Sequence, residues 1–159
     1  MANTITQSLA GGVMRSFSLM EAFIKACPDN IWNAPYGKWP VGQQVLHAFG
    51  AVDFFLRGPE EKEAQSPFSE AIISLKEVPA NAPAKEAVSA FMSECKARVE
   101  AYVASLDDAK LAEKHEGLSK RLGADMTHAA TLSLIGSHNM YHLGSADAAL
   151  RQNNLPGVF

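Results

Sequence analysis

The chain has only two cysteines, few charged residues (19%) and no apolar run approaching the length of a membrane span. Cys27 and Cys95 stand far apart and form no CxxC or related ligand spacing, so neither a disulfide framework nor a cysteine metal site is indicated. Both read as small buried hydrophobes. No stretch nears the roughly 20 apolar residues that cross a bilayer. The first ten residues lack the positive segment of a signal peptide. A soluble, cytoplasmic protein is therefore expected, with no membrane partner. Lys and Arg number 14 against 17 Asp and Glu, a formal charge of -3, which offers no sequence-independent grip on nucleic acid or anionic lipid. No run alternates with period two over enough residues to build a sheet, and no internal repeat is found. What remains is 159 residues, 47% of them hydrophobic, enough for one domain over residues 1–159 with a real core, together with five histidines.

Apolar residues recur at helical spacing in four segments. Leu9, Val13, Phe17, Met20 and Ile24 predict a helix over about residues 6–27, closed by Pro28. Residues 29–38 read as a loop anchored by Trp32 and Trp39. A second helix over about 40–57 carries Leu46, Ala51, Phe54 and Phe55 and stops at Gly58-Pro59. Val88, Phe91, Met92, Cys95, Val99 and Tyr102 mark a third over about 84–106, and a fourth runs from about 125 to 153. Between the second and third lies a long Pro-, Glu- and Ser-rich connection whose one apolar patch, 71–75, fits a helical turn. Residues 107–124 form another irregular stretch, anchored by Leu111 and Leu118. The expected fold is an all-α four-helix bundle with long second and third connections. The short first link makes the first two helices antiparallel neighbours. The second connection is long enough to return along a helix of about 27 Å, giving an up-down-down-up order.

His138 and His142 are four apart, so they share one face of the last helix, along a mostly apolar or small stripe through Thr131, Leu134, Ile135, Tyr141, Ser145 and Ala149. His47 shares its stripe with Gln43, Gln44, Ala51 and Phe54. It lies roughly 10 Å from the start of its helix, and His142 roughly 16 Å from the end of its own. Antiparallel packing brings the three histidines near one level. Three neutral imidazoles bind Zn, Ni, Cu or Fe and leave positions open for water or substrate. The same residues also fit a metal-free core in which each imidazole is hydrogen-bonded. His115, between Lys114 and Glu116, reads as a solvated loop residue, and His128 lies about 21 Å from His142 and cannot join. Gly136 and Gly144 flank the pair at about 1 kcal/mol each relative to Ala, suiting a close approach or space for a ligand, with a tolerated defect the alternative. Tyr141 reads as buried with a backbone partner, with a role as proton donor the other reading. Arg57 and Arg151 read as solvated, with an anion contact the alternative.

The stretches GKWPVGQQVLHAFGAVDFF (37–55) and SHNMYHLGSADAALRQNNLP (137–156) together resemble the DinB/YfiT-like superfamily: a Trp-bearing loop leading into a helix with one His, then an HxxxHxG motif on the last helix. The resemblance covers essentially the whole chain. It implies a four-helix bundle in which His47, His138 and His142 hold a divalent metal (Zn, Ni or Fe), and frequently a homodimer. Ser145 stands where many members have Gln. The activities implied are a metal-dependent S-transferase or isomerase using a low-molecular-weight thiol, or a hydrolase, acting on a small-molecule substrate. The alternative is non-catalytic binding of a metal or small molecule in a stress response.

Overall fold

The computed structural model describes residues 3–158. The chain forms α1 (Thr4–Ala26), a short α2 (Asp29–Trp32), a two-stranded hairpin of β1 (Pro35–Tyr36) and β2 (Trp39–Pro40), α3 (Val41–Leu56), the single turn α4 (Glu70–Ile73), α5 (Lys85–Ala104), a 3₁₀ turn at Lys110–Ala112, α6 (Glu116–Leu122) and α7 (His128–Gln152). The four long helices are those that the apolar periodicity marked, and the fold is all-α apart from the small hairpin.

Each long helix buries its apolar stripe. Val13, Phe17, Met20 and Ile24 of α1 face the core, as do Val45, Leu46, Phe49 and Val52 of α3 and Leu132, Ile135, Leu143 and Leu150 of α7. A fully buried Phe or Leu contributes about 1.5–3 kcal/mol, so these stripes dominate the stability of the bundle. α1 ends where Pro28, which has no N–H, follows Cys27, whose own N–H closes the last turn on the Phe23 carbonyl. α7 starts at 128 instead of about 125 because the Thr127 hydroxyl accepts from the Ala130 N–H and caps the first turn. Thr127→Ala should cost about 1 kcal/mol and lower the melting temperature by roughly 2–4 °C, read by calorimetry.

α1 packs on α7 and α5, and α3 packs on the same two, so α1 and α3 stand diagonally. They are not the side-by-side neighbours expected from their short link, because α2 and the hairpin carry the chain across the bundle. Phe17 and Phe49 still meet over the centre, with ring centroids 5.6 Å apart. Val13 lies beside Gly136, and Ser16 accepts from Asn139, so α1 and α7 rise together. Gln44 meets Ser145 while Phe55 meets His138, so α3 and α7 run opposite ways. Trp32, against the start of α3, donates to the Pro83 carbonyl just ahead of α5, and Asp53 near the end of α3 binds Arg98 well along α5. α3 and α5 therefore run the same way.

The stretch 29–38, expected as a loop, holds α2 and half of the hairpin, which turns at Gly37 with φ of +71°. The segment 107–124 is likewise more ordered than expected, with the 3₁₀ turn and α6 tied down by buried Leu111 and Leu118. Among the described residues, no helix is long and apolar enough to cross a membrane.

Candidate metal centre

The antiparallel pairing of α3 and α7 brings His47, His138 and His142 together. One ring nitrogen from each lies within 4.8 Å of the others, and the ring centroids are 4.6–5.2 Å apart. His142 is buried and the other two are half-buried. A tetrahedral ion about 2.0–2.1 Å from each nitrogen would set them about 3.3 Å apart, within reach of small side-chain rotations. The ring nitrogens Nδ1 of His138 and His142 are buried without a hydrogen-bond partner. Buried polar atoms are normally paired, so two orphaned imidazole nitrogens in a cluster of three histidines fit a site for a cation. These three residues could hold a metal ion.

His47 is oriented by main chain. Its Nδ1 lies 2.7 Å from the Ile73 carbonyl, which can only accept, so the proton sits on Nδ1 and the Nε2 lone pair is left for a ligand. The segment carrying that carbonyl is strapped to α3 and β2 by further bonds. Gln43, fully buried, donates to the carbonyls of Ile72 (3.0 Å) and Glu77 (2.6 Å), and the Trp39 indole donates to Leu75 (3.0 Å). Such outer partners fix the tautomer and ring angle of a metal-ligating histidine. Gln44, the next residue on α3, donates to the Tyr36 and Trp39 carbonyls and accepts from Ser145, tying the hairpin to α7.

A cavity of ≈ 500 Å³ opens beside the cluster, walled by His47, His138, Phe54, Phe55, Ile73 and Phe68 among others. Burial lowers the pKa of all three histidines. His138 falls to about 4 and His142 to about 3, through burial first and then repulsion from neighbouring imidazoles; for His47 burial outweighs the Ile73 hydrogen bond. All three are neutral at pH 7, the form in which imidazole binds metal. The remaining histidines, His115 and His128, are also lowered, by burial foremost.

A folded-state pKa below the unfolded value near 6.5 means that the unfolded chain binds more protons between the two. Stability should therefore rise with pH through that window. The melting temperature of metal-free protein is expected to be flat above about pH 7 and to fall steadily from about pH 6.5 towards 4. Calorimetry at several pH values checks this, and a melting temperature unchanged between 6.5 and 4.5 would refute it.

The other single-residue expectations divide: those for His115, Tyr141, Phe54 and Arg57 need correction, and those for His128, Arg151 and the cysteines hold. His115 is not solvated but buried: its Nδ1 accepts from the Leu118 N–H to cap α6, and its Nε2 faces the Leu56 carbonyl at 3.2 Å. Two main-chain partners fix it as a neutral structural residue. His128 lies outside the cluster, its Nδ1 2.5 Å from the Tyr102 hydroxyl. Tyr141 is 74% exposed, its ring edge-on to His142 at 5.1 Å. Phe54 turns partly outward, with the Arg121 guanidinium 5.3 Å from its ring centre. The Arg57 side chain is only 15% exposed, between Asp53 and Glu63, whereas Arg151 is 54% exposed on Asp147. Gly136 is a close approach, since a methyl there would touch Val13 of α1 at 3.7 Å, whereas Gly144 faces nothing within 4 Å. Cys27 and Cys95 are buried and their thiols are pushed up to about 11 and about 12, so neither is a nucleophile at neutral pH.

A helical bundle with three inward imidazoles on two antiparallel helices, beside an open cavity, defines a protein class with a potential metal site in its core. The family model of the DinB superfamily matches residues 15–146, and the chain belongs to that superfamily. The fold is similar to that of a DinB-like protein from Bacillus cereus ATCC 10987, with a TM-score of 0.69 at 17% identity over 96% of this chain and 97% of the other. No curated protein matches in sequence.

Proposed function

We propose that the chain is a metal-dependent enzyme in which His47, His138 and His142 hold a divalent ion, Zn, Ni or Fe, at the wall of the cavity. The observation that carries this reading is the meeting of three neutral imidazoles, two with unpartnered nitrogens, at the edge of a space of ≈ 500 Å³. The bound ion would supply an activated thiolate or a hydroxide for attack on a small electrophile. The reading gives His47 the role of a ligand pre-set by Ile73, and gives the phenyl walls the role of excluding water. Thiol transfer or isomerisation with a low-molecular-weight thiol is favoured over hydrolysis by the family resemblance alone. The same resemblance supports a homodimer.

A second reading is a non-catalytic protein that binds the metal or a small molecule, favoured by the 74% exposure of Tyr141, the candidate proton donor. One experiment separates the two. Protein expressed without a histidine tag is analysed for metal, loaded with zinc, nickel or iron(II), and assayed with thiols against electrophiles and with ester substrates. Metal-dependent turnover supports the enzyme. Stoichiometric metal that raises the melting temperature without turnover supports binding alone.

A further inference from the structure

Four phenylalanines stand on the wall of the cavity beside the three histidines. Phe54 and Phe55 meet edge to face at 5.8 Å on α3, and Phe68 of the strap meets Phe91 of α5 in the same manner at 5.8 Å. Phe55 continues to His138, its ring edge-on at 5.3 Å, so phenyl groups reach the histidines themselves. Rings held this way offer edges and faces to a further aromatic ring, which gains over a saturated ring of equal area. A volume of ≈ 500 Å³ has room for it.

The charged residues on the wall, Asp53, Glu63, Glu70 and Arg98, all have partners of opposite sign. Arg98 holds one oxygen of Asp53 at 2.5 Å, and Arg57 stands 3.6 Å from the other. Arg57 also reaches Glu63 at 3.4 Å, and Lys76 holds Glu70 at 2.6 Å. Three acids thus meet three bases. The Asp53 side chain is 12% exposed, whereas those of Glu63 and Glu70 are 63% and 62% exposed, so solvent screens the outer two. A charged ligand would lose its hydration against the phenyl rings and meet no free counter-charge on this wall. A carboxylate would face three acids with Arg98 already engaged, and an ammonium could only compete with Arg98 for Asp53. An uncharged molecule carries neither cost.

We propose that the cavity takes uncharged aromatic small molecules, the ring seated among Phe54, Phe55, Phe68 and Phe91, and that the closed ion pairs of the wall turn away anions and cations alike. This substrate class rests on the reading of the cavity as the substrate site of a metal-dependent enzyme. The substrate is then an uncharged electrophile whose aromatic body lies against Phe55, next to His138.

The test uses four probes, 2-phenylethanol, phenylacetate, 2-phenylethylamine and 2-cyclohexylethanol, titrated at neutral pH by ligand-observed NMR into protein kept metal-free with chelator. Phenylethanol should bind about tenfold or more tighter than the acid or the amine, and about threefold or more tighter than its saturated counterpart. Arg98→Gln withdraws one partner from Asp53, so the amine should gain at least about fivefold relative to the alcohol while the acid stays excluded. Either ion binding metal-free wild type as tightly as the alcohol overturns the proposal. So does cyclohexylethanol binding as tightly as phenylethanol, or an amine that gains nothing in Arg98→Gln. If Arg98→Gln does not fold, the wild-type comparison still decides, with Phe68→Leu expected to reduce the advantage of the aromatic alcohol over the saturated one. Zinc uptake by wild type is measured in parallel by elemental analysis. Stoichiometric zinc without the preference for the uncharged aromatic overturns this inference alone, and that preference without zinc uptake overturns the metal reading alone.

Discussion

Replacing His138 by alanine is expected to strip the metal and leave the bundle standing. Removing one of three ligands forfeits roughly a third of a binding free energy on the order of 10 kcal/mol, which is a loss of about two to three orders of magnitude in affinity. The fold should hardly notice. His138 is half-buried on the cavity wall, its Nδ1 has no partner, and its pKa of about 4 reflects burial of an imidazole with no compensating carboxylate. Metal-free His138→Ala should therefore melt within about 1 kcal/mol of metal-free wild type. The contrast lies in the response to zinc. Excess zinc at about 100 times the dissociation constant adds about 2.7 kcal/mol to the wild type and should add almost nothing to the variant. Calorimetry with and without zinc, together with elemental analysis, reads both effects. A variant that retains stoichiometric metal would sink the ligand assignment.

The parts of this site that lie on long helices were legible from sequence. His47, His138 and His142 sit on stripes of period 3.6, so spacing alone put each of them on an inward face, and counting 1.5 Å per residue put them at one height. The strap that orients His47 was not legible, because its contribution is the carbonyls of Ile72, Ile73, Leu75 and Glu77, which carry no residue identity. Only Gln43 and Trp39, polar groups on a helix or strand facing inward, hinted that something across from them had to accept. His115 misled for a related reason. Its neighbours Lys114 and Glu116 are charged, but its ring is buried by main-chain partners 3 and 59 residues away. Local composition cannot register such contacts. Arg98 and Asp53 were likewise hidden, since each belongs to the polar remainder of a helix and becomes notable only when α3 and α5 pack side by side.

Gly50→Ala should weaken metal binding without touching a ligand. Gly50 lies one turn beyond His47 on α3, and a methyl there would land on Cγ2 of Ile73, far inside van der Waals distance. Ile73 is branched at Cβ, and its own carbonyl holds His47 Nδ1, so it cannot swing clear without moving the strap. Overpacking of this kind costs about 1–3 kcal/mol, against which the better helix propensity of alanine returns about 1. The net loss of stability is thus small, but the displaced carbonyl frees His47 to rotate and to change tautomer. Loss of such an outer hydrogen bond lowers metal affinity about 10- to 100-fold. Gly144→Ala is the matched control. It lies next to the histidine pair on α7, yet a methyl there meets nothing within 4 Å. That change should raise stability by about 1 kcal/mol and leave zinc affinity within about twofold. Competition titrations against a zinc-sensitive dye measure both variants. Equal affinities in the two would show that the strap does not position His47; a loss confined to Gly50→Ala would show that the metal site extends to a main-chain carbonyl 26 residues from the histidine it holds.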